Sequence, residues 1–151
     1  MTDNALKLRA AERDDLNTIL SLLRDDVLGA TRETTDQSHY VAAFNEILNE
    51  PTAHLLVAVL DGEIIGCAQV NVLANLSLQA TKRANIEGVR IASTHRAEGQ
   101  GEAFFDLIEA FCRERGCGLM QLTTNASREA AVRFYVSRGF EASHVGLKKP
   151  L

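Results

Sequence analysis

The segment from Val89 to Glu102 holds the residues whose types and spacing best fit a chemical task. A β-branched run leads into a loop that contains Gly99 and Gly101, and an amphipathic helix begins at about the second glycine. Two glycines at this spacing let the backbone come close to a ligand and adopt φ values that other residues avoid. The amides of the loop and of the helix N-terminus then converge with partial positive charge, which predicts a binding site for phosphate or pyrophosphate.

Two common phosphate-binding motifs do not match this segment. The dinucleotide fingerprint GxGxxG needs a third glycine, but Phe104 stands where it would be. The loop GxxxxGK[ST] needs a lysine after its second glycine, and the segment has none there. What the sequence does contain is Arg96-x-x-Gly99-x-Gly101, between a strand and a helix.

The elements that must position this loop follow from the hydrophobic pattern. Buried or alternating apolar runs predict strands at Leu6–Arg9, His54–Leu60, Glu63–Val70, Asn85–Ser93, Leu119–Thr124 and Phe140–Leu147. Helical spacing predicts helices at about 16–23, 40–48, 101–115 and 128–137, the last one capped by Gly139. Asp61-Gly62 predicts a hairpin turn, and Gly88 inside a strand indicates a bulge. The order β α α β β β α β α β indicates an α+β or mixed α/β sheet covered by helices.

Three parts of the chain resemble one family. Arg96-x-x-Gly99-x-Gly101 resembles motif A of the GCN5-related N-acetyltransferases (the GNAT family), the loop that holds the pyrophosphate of acetyl-CoA. The segment Ala131–Phe140 resembles the family's A-x-x-F-Y-x-x-x-G-F pattern, and Leu6–Leu16 is similar to its usual opening. The order of elements also looks like the GNAT core. The resemblance implies one acetyltransferase domain over residues 1–151, with a mixed, mostly antiparallel sheet of six to seven strands flanked by about four helices.

The resemblance also implies two catalytic residues. Glu87, on the strand that leads into the loop, matches the family's general base, and burial in the cleft beside that strand would make it a stronger base. Tyr135 matches the general acid that protonates the CoA thiolate, because a phenol stays protonated at neutral pH and donates a hydrogen bond. The alternatives are a glutamate on a solvated face and a tyrosine that packs between sheet and helix.

Acetyl-CoA contacts are implied along the strand, the loop and the helix that follows. The backbones of Val89 and Ile91 would pair with the pantetheine arm as an added strand does. The residues expected at the pyrophosphate are Arg96, Ala97, Gly99, Gln100, Gly101 and Glu102. Arg96 acts there mainly through its backbone in the family, so we expect its guanidinium to be solvated. Where many members carry an asparagine seven residues before the tyrosine, this chain has Arg128, with Asn125 nearby, and we expect either to contact CoA.

The sequence leaves the acceptor of the acetyl group open. The segment after the first helix usually lines the acceptor pocket, and the acidic residues of Arg24–Glu33 would attract a cationic amine. Direct transfer to the primary amine of a small molecule, within a ternary complex, is the main hypothesis. The alternatives are acetylation of a protein N-terminus or lysine, and a CoA-binding module without catalysis, which the presence of both Glu87 and Tyr135 disfavours.

Composition limits the other classes. The net charge of −4 over 151 residues disfavours a nucleic-acid binder. No apolar run approaches the roughly 18 residues of a membrane span, and the N-terminus lacks the apolar core of a secretory signal, so we expect a cytoplasmic protein. Cys67, Cys112 and Cys117 lack metal-ligand spacing and basic neighbours, so we expect core thiols and no metal. The exposed edges of such a sheet favour a homodimer.

Overall fold

The computed structural model describes residues 4–25, 33 and 37–151. These residues form one sheet in the order β1-β2-β3-β4-β5, with strands at Lys7–Ala10, Ala53–Leu60, Glu63–Leu73, Arg83–Ile91 and Leu119–Leu122. The first four strands are antiparallel neighbours, whereas β5 pairs with β4 in parallel. The described helices are α1 (Leu16–Arg24), α2 (Ser38–Asn49), α3 (Gln100–Glu114) and α4 (Glu129–Ser137), and Ser77–Ala80 forms one turn with left-handed residues. The predicted mixed sheet with covering helices is confirmed.

The two faces of the sheet pack against different helices, because side chains alternate along each strand. On one face, residues such as Val70 and Ile86 pack against α3, whose buried side chains recur every four residues at Phe104, Ile108 and Cys112. We call this the α3 face. On the opposite face, the α1 face, Val57 and Cys67 pack against Ile19 and Leu22 of α1 and Phe44 of α2.

Left-handed backbone positions set the register of the central strands. Asp61 (φ 50°) and Gly62 (φ 82°) form the predicted turn between β2 and β3. Gly88 has φ 60° and lies where the register between β3 and β4 shifts, because Cys67 pairs with Arg90 and Gln69 with Glu87. Two steps along β3 thus oppose three steps along β4, and the predicted β-bulge is confirmed. Glu87 and Arg90 therefore both lie on the α1 face.

Strands β4 and β5 separate after a short stretch of pairing. They are paired only from Arg83 with Leu119 to Ile86 with Leu122. Among the described residues, positions 87–91 of β4 have no strand partner on this side. Their backbone edge therefore opens into a cleft, and the loop that leads to α3 begins at the end of that edge.

The expected six to seven strands are too many, because the described residues form five. Phe140–Leu147, predicted as the last strand, pairs with no strand of the described sheet, although Gly139 (φ 93°) ends α4 as predicted. Val145 and Leu147 are 85% and 90% exposed. Spaced apolar residues favour a strand, but a strand forms only where a neighbouring edge supplies backbone hydrogen bonds.

Candidate functional site

Two cavities lie along the open edge of β4. The larger, of about 980 Å³, lies between the end of β4, the C-terminal end of α1 and the N-terminal part of α4. The smaller, of about 310 Å³, lies between the loop before α3 and Phe134 of α4. Ile91 and Arg96 line both cavities, so the two are neighbours in one cleft.

The smaller cavity faces the N-terminus of α3. Gly99 precedes the helix with φ 77°, and no side chain caps the helix there. The first helical hydrogen bond runs from the N–H of Ala103 to the carbonyl of Gly99 at 3.2 Å. The N–H groups of three residues are therefore left without a partner inside the helix, namely Gln100, Gly101 and Glu102. Together with the helix dipole, these donors make the cavity suitable for a phosphate or another anion.

Gly101 keeps the smaller cavity open. A Cβ at this position would lie 3.6 Å from two carbons of the Phe134 ring, which is ordinary van der Waals contact. The glycine is therefore not needed for packing. It leaves space at the point where the backbone of the helix terminus meets the cavity, as a site for a closely approaching ligand requires.

Arg96 is hydrogen-bonded to protein groups, although its side chain stays 45% exposed, as expected for a partly solvated guanidinium. Its Nε donates to the carbonyl of Ile91 at 3.0 Å, and its Nη2 donates to the carbonyl of Asp25. The same Nη2 lies 3.8 Å from the Asp25 carboxylate, which accepts the N–H of Ser93 at 3.0 Å. The Ser93 N–H is the main cause that lowers the pKa of Asp25, and Arg96 adds to it. The C-terminal end of α1 is thus tied to the loop before α3.

The acidic segment expected to attract a cationic amine falls largely outside the described residues. Within Arg24–Glu33, the structure describes Arg24, Asp25 and Glu33. Asp25 binds Ser93 and Arg96, and Glu33 accepts a hydrogen bond from the Tyr40 hydroxyl at 2.7 Å. In the described part of this segment, both acids therefore bind protein groups, and Asp25 also lines the larger cavity.

The described residues around the larger cavity carry more positive than negative charge. Four arginines line it, namely Arg24, Arg90, Arg96 and Arg128, against the two acids Asp25 and Glu129. Asp25 already pairs with Arg96, and Glu129 lies 3.9 Å from Arg133, which is not among the lining residues.

Tyr135 belongs to an aromatic cluster beside the cleft. Its ring centroid lies 5.3 to 5.7 Å from those of Phe105, Phe134 and Phe140, with edge-on geometry in each pair. Burial raises the pKa of the Tyr135 phenol, and the positive charges of Arg128 and Arg90 lower it by smaller amounts. The phenol is therefore protonated at neutral pH and close enough to both arginines to respond to their charge. This geometry suits a proton donor, and it also agrees with the alternative in which Tyr135 only packs between sheet and helix.

Glu87 is exposed, so the expected burial is wrong. Its Oε1 accepts a hydrogen bond from the Asn85 amide at 3.2 Å. Gln69 and Asn71 of β3 lie opposite Glu87 and Asn85, and the Gln69 amide donates to Asn71 at 3.0 Å. These four residues form a polar row on the α1 face that crosses from β3 to β4, the strand whose edge opens into the cleft. The alternation of Gln69 and Asn71 with valines was the sequence signal for this row.

Arg128 and Asn125 have different places. Arg128 lines the larger cavity, whereas Asn125 does not. The side-chain carbonyl of Asn125 accepts the N–H and the hydroxyl of Ser127 at 3.0 and 2.7 Å, and its backbone carbonyl accepts the Arg128 N–H at 2.9 Å. Asn125 thus shapes the turn before α4, which brings Ser127 and Arg128 to the cavity.

The structure brings most of the predicted cofactor residues to the cleft. Those that line the larger cavity are Val89, Ile91, Arg96 and Arg128, and those that line the smaller one are Ile91, Arg96, Ala97, Gly99, Gly101 and Glu102. Four predicted residues are not among the lining residues, namely Glu87, Gln100, Asn125 and Tyr135. Sequence reasoning missed three polar residues that are, namely Arg90, Ser127 and Glu129, whereas Arg24 and Asp25 belong to the segment expected at the acceptor pocket.

The cysteines behave as the sequence predicts. Cys67 and Cys112 are buried, and burial raises the pKa of Cys67 to about 12 and that of Cys112 to about 11. Burial also raises the pKa of Cys117. Thiols in this state are poor nucleophiles, which disfavours an acyl-cysteine intermediate.

Within 4–25, 33 and 37–151, no group of three or more His, Cys, Asp and Glu residues could hold a metal ion. No helix within those ranges is long and apolar enough to cross a membrane.

Comparison with known proteins gives one family. The model of the acetyltransferase (GNAT) family matches residues 16–140. The aminoalkylphosphonate N-acetyltransferase of Salmonella typhimurium is 25% identical over 145 residues, which cover 96% of this chain and 91% of that protein.

Solved structures agree on the fold. A Bacillus halodurans protein described as a transcriptional regulator superposes with a TM-score of 0.91 at 41% identity, over 97% of this chain and 99% of that one. AAC(6′)-Iy, solved with the bisubstrate analogue CoA-S-monomethyl-acetylneamine, gives a TM-score of 0.78 at 16% identity over 97% of both chains. The second likeness shows the fold alone.

Proposed function

The chain belongs to the GNAT family of acetyltransferases, and from this premise we propose that it transfers the acetyl group of acetyl-CoA to the primary amine of a small molecule. We take residues 1–151 as one acetyltransferase domain. The observation that carries the proposal is the N-terminus of α3, where three amide donors meet a cavity beside the open edge of β4. The small-molecule acceptor is supported by the Salmonella relative, whose name gives an aminoalkylphosphonate as its substrate.

The residues of the cleft fit acetyl-CoA in this proposal. The amides of Gln100, Gly101 and Glu102 bind the pyrophosphate, and Ala97 and Gly99 give the loop its left-handed turns with φ 64° and 77°. The edge of β4 at Val89 and Ile91 has no strand partner among the described residues, so it can pair with the pantetheine arm. Arg128 supplies a cation for a phosphate. Asn125 acts through the turn that positions Arg128.

Glu87 and Tyr135 have complementary roles in the proposed reaction. Glu87 accepts a proton from the amine, directly or through a water molecule, so that the nitrogen lone pair attacks the thioester carbonyl. The C–N bond forms and the C–S bond breaks, and the phenol of Tyr135 donates its proton to the leaving thiolate. The protonated state of Tyr135, which its burial favours, supports this assignment. Direct transfer agrees with the poor nucleophilicity of the cysteines.

Acetyl-CoA binding and turnover test the proposal in sequence. Acetyl-CoA at about 100 times its Kd should stabilise the fold by about 2.7 kcal/mol, whereas adenosine and NADH should not stabilise it. Release of CoA thiol in the presence of a panel of primary amines then measures transfer. Glu87→Gln should lower kcat by about 100-fold or more, and Glu63→Gln, an exposed change at the start of β3, is the matched control. Absence of stabilisation by acetyl-CoA at millimolar concentration would contradict the proposal.

A second candidate is a CoA-binding module that regulates without catalysis, since the Bacillus halodurans relative is described as a transcriptional regulator. The net charge of −4 disfavours direct contact of this chain with nucleic acid. The same two measurements separate the candidates. Stabilisation by acetyl-CoA without turnover of any amine would favour the module.

A further inference from the structure

The two edges of the sheet differ in how they are protected against pairing with another strand. β1 forms one edge and carries the charges of Lys7 and Arg9, a common protection of edge strands. β5 forms the other edge with the residues Leu119-Met120-Gln121-Leu122, which include no charge and no proline. Among the described residues, β4 is the only strand that pairs with β5. In the described part of the chain, the outer edge of β5 is therefore open to a further strand, and Leu119 beside it is 37% exposed.

Segment 141–151 has the pattern of a strand but no strand partner within the described residues. Every residue from Glu141 to Leu151 is exposed, and none of them belongs to a described helix or strand. Val145 and Leu147 are two positions apart, as are the apolar side chains on one face of a strand, and they are 85% and 90% exposed. The described residues of a single chain therefore leave this apolar side uncovered.

Segment 141–151 passes the end of β5 in its own chain without pairing with that strand. Thr123 follows β5 directly, and a Cβ on Gly146 would lie 3.3 Å from the Cγ2 of Thr123. Gly146 thus faces its own chain. Neighbouring side chains of an extended segment alternate, so Val145 and Leu147 face the other way, in agreement with their exposure. The apolar side of the segment is therefore turned away from the chain that carries it.

We propose that two copies of this chain form a dimer in which segment 141–151 of each copy pairs with the β5 edge of the other. A second copy fits this edge because one chain carries both the open edge and the unpaired segment, so a two-fold dimer satisfies both elements in each copy. Strand addition of this kind combines backbone hydrogen bonds with burial of alternate side chains, here Val145 and Leu147.

The size of this contact suits a stable dimer. Each copy gives the eleven residues of segment 141–151 and receives the segment of the other copy on and around β5. The residues given and those that receive them together approach the roughly 20–30 residues a side of a stable interface. This contact is independent of the acetyl transfer proposed above, so either can fail without the other.

Sedimentation velocity over a dilution series measures the dimer of the full chain. Leu147→Lys should raise the Kd of the dimer by at least about 100-fold, because it removes a buried leucine from each of two equivalent contacts. Val145→Lys should weaken the dimer in the same way, and both variants should keep the circular dichroism of the wild type because both side chains are exposed in the single chain. Leu76→Lys is the matched control, since Leu76 is a 94% exposed leucine between β3 and β4, and it should change Kd by less than about threefold.

Hydrogen–deuterium exchange locates the contact on both elements. At concentrations where the wild type is a dimer, the amides of 119–122 and of 141–151 should exchange more slowly than in the diluted monomer. In Leu147→Lys at the same concentration, both stretches should lose this protection.

Four results would overturn the proposed dimer. A wild type that is monomeric at every concentration would do so, and protection of both stretches in that monomer would show that the segment pairs with β5 of its own chain. A dimer that persists in Leu147→Lys and Val145→Lys would have its contact elsewhere. Dissociation by Leu76→Lys to the same extent would place the contact at the connection between β3 and β4. Protection of 141–151 without 119–122 would place the segment on another surface of the second copy.

Discussion

Replacing Gly101 by alanine separates the folding of the α3 N-terminus from its use as an anion site. The glycine is the second residue of the helix, and its added Cβ would meet only the Phe134 ring at 3.6 Å. Alanine is favoured over glycine inside a helix by about 0.5–1 kcal/mol. We therefore expect the unliganded Gly101→Ala variant to be as stable as the wild type or up to about 1 kcal/mol more stable, which raises its Tm by up to about 4 °C.

The same methyl group should weaken acetyl-CoA binding. It occupies the side of the 310 Å³ cavity from which a pyrophosphate reaches the amides of α3. Loss of one hydrogen bond to a charged group costs about 1.5–3 kcal/mol, which raises Kd about 10- to 150-fold. At a concentration of 100 times the wild-type Kd, stabilisation is about 2.7 kcal/mol for the wild type but only about 0.4 kcal/mol for a variant with 100-fold weaker binding. The corresponding Tm shifts are about 5–11 °C and about 1–2 °C.

Thermal melts with and without acetyl-CoA measure both effects on the same samples. Gly116→Ala is the control at the other end of α3, where φ is 78° and a Cβ would meet nothing within 4 Å. It should lower the Tm of the unliganded protein through backbone strain and keep the full shift with acetyl-CoA. A full shift in Gly101→Ala would refute the assignment of the pyrophosphate to this helix end. A large loss of unliganded stability would refute the packing argument.

Three other predictions concern Tyr135, an ion pair and the thiols. Tyr135→Phe keeps the ring in its cluster but removes the phenolic proton, so steady-state kinetics should show kcat lower by about 100-fold or more while acetyl-CoA still raises the Tm. The hydrogen bond from Arg9, at 2.7 Å, is the main cause that lowers the pKa of Asp15. Urea unfolding at pH 7 should therefore show that Asp15→Asn lowers the free energy of unfolding by about 1–3 kcal/mol. This difference should shrink as the pH falls below about 4, and it should vanish once the pH is below the lowered pKa of Asp15 in the folded protein. An equal loss at pH 3 would contradict this ion pair. When the native protein is treated with a maleimide, its intact mass should show one modification, at Cys117, because the other two cysteines are buried. A second modification would contradict that burial.

The elements that position the pyrophosphate site could be predicted because their signals are local. Gly99 and Gly101 fix a loop and a helix start, and the predicted helix at 101–115 differs from the observed Gln100–Glu114 by one residue at each end. The turn at Asp61-Gly62 likewise follows from two residues that tolerate positive φ. The predicted strand at Phe140–Leu147 failed because strand formation depends on a neighbouring edge, which its own residues do not specify.

The acceptor side of the cleft depends on long-range register, which sequence patterns do not give. Gly88 indicated a bulge, but only its pairing with β3 shows that Glu87 and Arg90 share a face. The exposure of Glu87 depends on which elements cover the α1 face of β4, which the residues of the strand alone do not give. The contact of Arg96 with Asp25 could not be predicted either, because Asp25 lies 71 positions earlier in the chain.

The contacts between Asp25 and the loop before α3 have a thermodynamic consequence. They join the end of α1, beside the larger cavity, to the loop at which we propose that acetyl-CoA binds. A first ligand that holds the loop in place also holds the end of α1, so the second ligand has less ordering to do when it binds. If bound acetyl-CoA raises the affinity for the acceptor by some factor, bound acceptor must raise the affinity for acetyl-CoA by the same factor. Calorimetric titrations of each ligand, with and without the other one bound, measure both factors. Asp25→Ala should reduce the two factors together.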